Sequence, residues 1–239
     1  MQKIQGIGVG AVGPLDIKTG TILHTPNLPA WRGIPIVKLL KRAFGVPVVL
    51  DNDANAAALA ELKFGCKKQN FIYLTLSSGI GAGIVIDGKV YRGAAGNAGE
   101  VGHMIIESSE RAPKCGCGKR GCLEAIASGS AIAKRAKTLL KLKHPSAEIV
   151  FQRAHSGDTK AQKIIEEAAF YLGVGLANLS EIFDPELIVL GGGLTKSWVL
   201  FERIVQKTLK RYARQAPKLV LTKLGYDNVL MGAAALVFS

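Results

Sequence analysis

Residues 97–124 concentrate side chains that can do chemistry. They read Asn97-Ala-Gly-Glu100-Val-Gly-His103, then, after residues 104–114, Cys115-Gly-Cys117-Gly-Lys-Arg-Gly-Cys122-Leu-Glu124. Three of the four cysteines and one of the four histidines fall in this stretch. Three thiolates and one imidazole make a complete tetrahedral set for Zn²⁺, with no open position for a substrate. His103, Cys115, Cys117 and Cys122 are therefore expected to hold a structural rather than a catalytic zinc. Glycines 116, 118 and 121 let a short loop close around an ion. Glu100 and Glu124 flank the ligands, so the metal is expected to position carboxylates that act on something else.

Two other stretches have spacing that suits ligands. Val46 to Leu50 reads as a buried strand running into Asp51-Asn52-Asp53, and an Ala-rich helix follows from Ala54 to Phe64. Acids at the carboxyl end of a parallel strand sit where open α/β sheets bind ligands. Asp53 is equally placed to cap the helix, and the residue pattern leaves both readings open. Ser77-Ser78-Gly79-Ile80-Gly81-Ala82-Gly83 lies between two strand-like runs and offers hydroxyls and backbone N–H groups to phosphate. It is neither a P-loop nor a dinucleotide fingerprint, since no Gly-Lys-Ser/Thr follows. Gly191-Gly192-Gly193 after Leu187–Leu190 is a second turn on which a ligand can lie against backbone. Pro26-Asn27-Leu28-Pro29-Ala30-Trp31 pairs an amide with an indole in a loop, a weak sugar-site signal, with a core-packed Trp31 as the plain alternative.

The elements that must carry these residues alternate. Strands are expected at residues 4–12, 21–24, 46–50, 71–76, 84–86, 89–91, 187–190 and 219–223. Helices are expected at 34–44, 54–64, 123–143 with a break near Ser128-Gly129-Ser130, 159–183 capped by Asp158, 198–213 and 229–237. Residues 146–157 read as a connector. Glycines 173 and 175 and the small-residue run Met231-Gly232-Ala-Ala-Ala235 suggest close helix packing. This is an α/β pattern.

The chain has 239 residues, 48% hydrophobic and 21% charged, which suits a globular protein. No apolar run reaches the roughly 18–20 residues of a membrane span. Met1-Gln-Lys-Ile-Gln-Gly shows no signal-peptide anatomy, so cytoplasmic residence is expected. The net charge of +13 raises the question of nucleic acid. The cations fall mostly at helical spacing, as in Arg203, Lys207, Lys210, Arg211 and Arg214, and read as solvated helix faces. No nucleic-acid partner is expected.

Three blocks together resemble the signature of the ROK family, which groups sugar kinases with sugar-responsive repressors. They are Leu50-Asp-Asn-Asp-Ala-Asn-Ala-Ala57, Gly96-Asn-Ala-Gly-Glu-Val-Gly-His103 and the Cys115–Glu124 run. Ile188-Val-Leu-Gly-Gly-Gly193 and the glycine-rich hairpin look like the family's nucleotide-side blocks. The resemblance covers nearly the whole chain in order.

It implies an actin-like, ribonuclease-H-like ATPase fold: two α/β domains with a cleft, expected at 1–55 plus 228–239 (small) and 56–227 (large). It implies a glucokinase-type phosphotransferase of carbohydrate metabolism and glycolysis, which transfers phosphate from ATP with Mg²⁺ to the 6-hydroxyl of glucose or an N-acetylhexosamine. Asp53 matches the catalytic base. Asn52, Glu100, His103 and Glu124 match the groups that hold sugar hydroxyls, with His103 also on zinc. Ser78, Gly79, Gly81 and Gly83 match the phosphate hairpin, and Gly191, Gly192 and Gly193 the adenosine side. A homodimer or tetramer is implied.

The family's kinases open on an Asp-x-Gly-Gly-Thr phosphate loop, and this sequence contains no Asp-Gly-Gly-Thr. The N-terminal domain is thus expected to be incomplete, with ATP turnover suffering more than sugar binding. The alternatives are the sugar-sensing region of a repressor and an inactive sugar-binding remnant.

Overall fold

The computed structural model describes residues 4–25 and 28–238. The chain divides into two compact units. One comprises residues 1–73, 82–99 and 222–239, and the other residues 74–81 and 100–221. The expected small domain lies inside the first unit, which also takes in 56–73, 82–99 and 222–227. The reason is packing: the helix that begins at Asp53 lies against the C-terminal helix and the first strand, so it cannot belong elsewhere.

In the first unit, β1 (Ile7–Ala11) pairs in parallel with β5 (Val48–Asn52). A small antiparallel sheet, β2 (Leu15–Asp16), β3 (Thr21–Thr25) and β4 (Leu28–Ile34), lies between them in sequence. Residues 28–34 are thus strand rather than loop. Pro29 falls on β4, an edge strand, where proline is found in sheets. Trp31 is exposed, so it is not the core residue of the plain alternative. Asn27, its expected partner, lies outside the described residues.

Helix α1 (Ile36–Phe44) ends at Gly45 in the left-handed conformation, φ 68°, as the sequence predicts. Helix α2 (Asp53–Lys63) is buried along nearly its whole length, which its alanines permit. The last helix, α8 (Asn228–Leu236), crosses it at backbone distance. A Cβ on Gly232 would stand 1.7 Å from the Ala56 carbonyl oxygen, and one on Gly8 would stand 1.6 Å from that of Ala233. The small-residue run therefore serves as the sequence predicts. Gly232→Ala is expected to destabilise the protein by about 1–3 kcal/mol, the usual cost of overpacking. A thermal melt unchanged within error would show that α8 can shift away.

Strands β6 (Phe71–Leu76), β7 (Ile80–Ile86), β8 (Lys89–Tyr91), β9 (Leu187–Gly191) and β10 (Lys218–Leu221) take the order β10-β9-β6-β7-β8. β9 and β10 are parallel; β7 and β8 form a hairpin through Asp87-Gly88, both at positive φ.

In the second unit, α3 (Leu123–Ala127) and α4 (Gly129–Leu139) are one sequence-level helix broken at Ser128, as predicted. The stretch read as a connector contains α5 (Ala147–His155). Ser146 caps it and Val150, Phe151 and Ala154 are buried, a pattern that the neighbouring Pro145 and Gly157 mask. Helix α6 (Thr159–Phe183) runs over its full predicted span, with the Asp158 carboxylate accepting from the Lys160 and Ala161 N–H groups. Ile164, Ala168, Leu172 and Leu176 line its buried face. Each leucine there contributes about 1.5–3 kcal/mol by leaving water. Gly173 and Gly175 give close passage to α7 (Glu202–Tyr212) and to Leu123 of α3. Helix α7 begins later than predicted, because residues 193–200 form 3-10 turns with a kink at Ser197. Its cations Arg203, Lys207, Lys210 and Arg211 are exposed, opposite buried Val205 and Leu209. Among the described residues no helix is long and apolar enough to cross a membrane.

Candidate functional site

The four expected metal ligands converge in the second unit. The ligand atoms of His103, Cys115, Cys117 and Cys122 all lie within 4.8 Å of one another. Cys117 Sγ is 3.7 Å from Cys122 Sγ, and Cys115 Sγ is 3.6 Å from His103 Nδ1. A tetrahedral zinc with its usual bond lengths demands S···S near 3.8 Å and S···N near 3.6 Å. The donor set fits that ion by chemistry and by spacing.

The surrounding chain builds the cage from short-range bonds. Cys115 N–H donates to the Lys119 carbonyl and Gly118 N–H to that of Cys115, closing the loop that carries Cys115 and Cys117. Ile106 N–H donates to the Gly121 carbonyl and Leu123 N–H to that of Met104, which brings Cys122 under His103. Burial and the neighbouring thiols push Cys122 up to about 12. Burial likewise raises Cys115. For Cys117 burial is outweighed by the Lys119 N–H and the other two thiols, and its pKa is lowered. Three thiols this close resist sharing more than one negative charge until a divalent cation deprotonates them.

His103 sits at the end of a one-turn 3-10 segment, Val101–His103. With Nδ1 on the sulfur side, its Nε2 faces Glu100, whose Oε2 lies 3.8 Å away. A ring held at one nitrogen presents the other in a fixed direction. Glu124, in the first turn of α3, accepts at Oε2 from the Ile80 N–H at 3.0 Å. It thereby ties the cysteine loop to the start of β7. Glu100 thus stands beside His103, and Glu124 follows two residues after the ligand Cys122.

The serine–glycine loop is shorter than predicted. Only Ser77–Gly79 is turn; Gly81 and Gly83 lie inside β7. A Cβ on Gly83 would stand 2.4 Å from the Ala54 carbonyl oxygen and 2.5 Å from the Ala58 Cβ, so this glycine serves the packing of α2. Ser77 and Ser78 are exposed, and their carbonyls accept from the N–H groups of Gly129 and Ser130 at the start of α4. Gly191 closes β9. Gly192, at φ 89°, passes so near β6 that a Cβ would lie 2.4 Å from the Leu76 carbonyl oxygen. Gly193 is exposed, with nothing within 4 Å of where a Cβ would stand.

Asn52 and Asp53 lie in the first unit, at the turn from β5 into α2. The helix cap is Asn52, whose Oδ1 accepts from the Ala54 N–H at 2.8 Å. Asp53 is the first helical residue, and its Oδ1 accepts from the same N–H at 2.8 Å. The capping role read for Asp53 thus belongs to its neighbour. A helix N-terminus favours negative charge there.

Two residues escaped the sequence reading. Arg92 pairs with Asp51, at 2.7 Å from Nη2 and 2.8 Å from Nε to Oδ2. Asn55 donates from Nδ2 to Asp51 Oδ1 at 2.9 Å. Asn55 is hidden in the alanine run, and nothing in the Tyr91-Arg92-Gly93 stretch points forty-one positions back.

The ROK family model matches residues 1–239, and the chain belongs to that family. It is 36% identical to a glucokinase from Halalkalibacterium halodurans, covering 97% of this chain and 76% of that protein. It is also 36% identical to a xylose repressor from Caldicellulosiruptor bescii, covering 99% of this chain and 63% of that protein. It superposes on a ROK-family glucokinase from Streptomyces griseus, solved with glucose and AMPPNP, with a TM-score of 0.82 and 34% identity, over 98% of this chain and 81% of that one. The fold is that of the actin-like, ribonuclease-H-like ATPases, as the sequence predicts.

Proposed function

We propose that this protein is an ATP-dependent hexose kinase of the glucokinase type, which phosphorylates the 6-hydroxyl of glucose or of an N-acetylhexosamine. The observation that carries the reading is His103, in a donor set fit for zinc, with the Glu100 carboxylate 3.8 Å from its Nε2. A rigid imidazole beside a carboxylate suits a polyol, whose hydroxyls need acceptors in fixed directions. The likeness to a kinase solved with glucose and a nucleotide supports the same reading.

In this reading His103, Cys115, Cys117 and Cys122 hold a structural Zn²⁺, which fixes the His103 ring and does no chemistry on substrate. Asn52, Glu100, His103 and Glu124 hold the sugar. Asp53 aligns the 6-hydroxyl and accepts its proton as the oxygen attacks the γ-phosphorus; ADP leaves. Phosphoryl transfer is mainly positioning and charge stabilisation, so one aligned carboxylate suffices. Ser78, Gly79 and Gly81, and Gly191, Gly192 and Gly193, serve the nucleotide, which brings Mg²⁺ with it, while Gly83 gives α2 its close approach. We place the enzyme in the cytoplasm, as a homodimer or tetramer.

Calorimetry with glucose, N-acetylglucosamine and N-acetylmannosamine, followed by a coupled ADP-release assay, tests the proposal. At least one hexose is expected to bind, and that hexose to drive ADP release above the sugar-free background. No heat with any of them would remove the sugar site. A second reading, the effector-binding region of a sugar-responsive regulator, draws on the equal identity to a xylose repressor. Hexose binding without ADP release would favour it.

A further inference from the structure

We propose that Arg92, acting through Asp51, is the positioning residue that sets the turn carrying Asn52 and Asp53. The inference rests on the proposed role of Asp53 as the base. All its parts lie in the first unit.

Asp51 is 1% exposed, and each of its oxygens is used. Oδ1 accepts from the Asn52 backbone N–H at 2.8 Å and from Asn55 Nδ2 at 2.9 Å. Oδ2 takes the Arg92 guanidinium. The carboxylate thus grips the first residue after itself and the third residue of α2, on either side of Asp53. It does not cap the helix, since Asn52 does that. Its bonds hold the single turn from which Asn52 and Asp53 project.

A buried carboxylate left alone is costly and needs a cation. Arg92 supplies it from just beyond β8. The arginine is itself tied down, since its carbonyl accepts from the Ala98 N–H at 3.1 Å. Guanidinium geometry matters here: Nε and Nη2 hold one oxygen between them in a rigid fork, a two-point grip on Oδ2 that a lysine ammonium would not give. Among the described residues Asn55 Oδ1 is buried without a hydrogen-bond partner, so the bond to Asp51 is what orients the amide. A displacement of Asp53 by about 1 Å would cost on the order of a hundredfold in rate while leaving most sugar contacts in place.

The test uses three variants of the full chain. Arg92→Lys keeps the charge and loses the paired grip. Arg92→Ala opens a space for free guanidinium ion. The double variant Asp51→Asn/Arg92→Gln removes both charges, so that no unpaired buried charge prevents folding. In each, kcat is expected to fall at least tenfold and hexose affinity by a clearly smaller factor, since Asn52 moves with the turn while Glu100, His103 and Glu124 do not, and millimolar guanidinium is expected to restore part of the Arg92→Ala rate. A folded double variant with wild-type kcat overturns the proposal. So does a loss of kcat matched by an equal loss of hexose affinity, which marks a merely structural pair. If the unaltered protein phosphorylates no hexose, the kinase reading fails instead. The positioning claim is then read from hydrogen exchange of the Asn52 and Ala54 amides, expected at least tenfold faster in the double variant; unchanged exchange overturns it.

Discussion

Replacing Asp53 by asparagine is expected to lower kcat by about 10²–10⁴-fold, the range over which a positioned general base contributes. That corresponds to about 3–5 kcal/mol of transition-state stabilisation. Hexose affinity is expected to stay within twofold. The substitution is clean for a structural reason. Asparagine keeps an Oδ1 that can accept from the Ala54 N–H as aspartate does, and the cap proper is Asn52. The start of α2 therefore survives, and only the proton acceptor is lost. Steady-state kinetics with Mg-ATP, set beside calorimetric titration of the sugar, separate the two effects. An unchanged kcat would reduce Asp53 to an ordinary first-turn residue. A fall in sugar affinity equal to the fall in kcat would make it a binding group only.

The second large effect concerns the cage. Cys117→Ser is expected to take bound zinc from about one per chain to nearly none, and to weaken hexose binding at least tenfold. Cys117 is the exposed member of the set, so its replacement disturbs no core packing, unlike Cys115 or Cys122. Any loss of sugar affinity then passes through the metal and His103. Stability is expected to fall by about 2 kcal/mol or more, because ligation energy is folding energy in such a site. For a chain of this size that is about 4–8 °C in melting temperature. Metal analysis, a thermal melt and calorimetry on one preparation give all three quantities. A metal-free variant that binds sugar like the parent would remove zinc from the account of the pocket.

Most of the ligand cage was legible in the sequence, because it is local. Cys115, Cys117 and Cys122 are bridged by glycines, and only His103 must be brought in from a short distance. The long helix α6 was legible for the same reason: its cap at Asp158, its apolar period and its stop before Pro185 all agree. What escaped depends on contacts distant in sequence. Gly81 and Gly83 look like loop residues beside Ser77-Ser78-Gly79, and only the approach of α2 explains glycine inside a strand. Helix α5 was hidden by turn-forming neighbours, although its buried face is ordinary. The choice between Asn52 and Asp53 as cap turned on one residue of register, finer than propensity resolves. Arg92 had no local signal at all, since its partner lies on another strand.

The seat of α8 against β1 and α2 bears on the order in which this protein acquires its shape. The first unit is interrupted in sequence, and its third piece, residues 222–239, is translated after residues 100–221. Residues 100–221 form a long uninterrupted run of the second unit and can consolidate while the ribosome is still at work. The first strand, by contrast, waits with Gly8 bare until the helix that carries Ala233 emerges. Vectorial synthesis thus runs against the usual N-terminal-first sequence, and the early strands spend that interval as a potential edge for unwanted pairing.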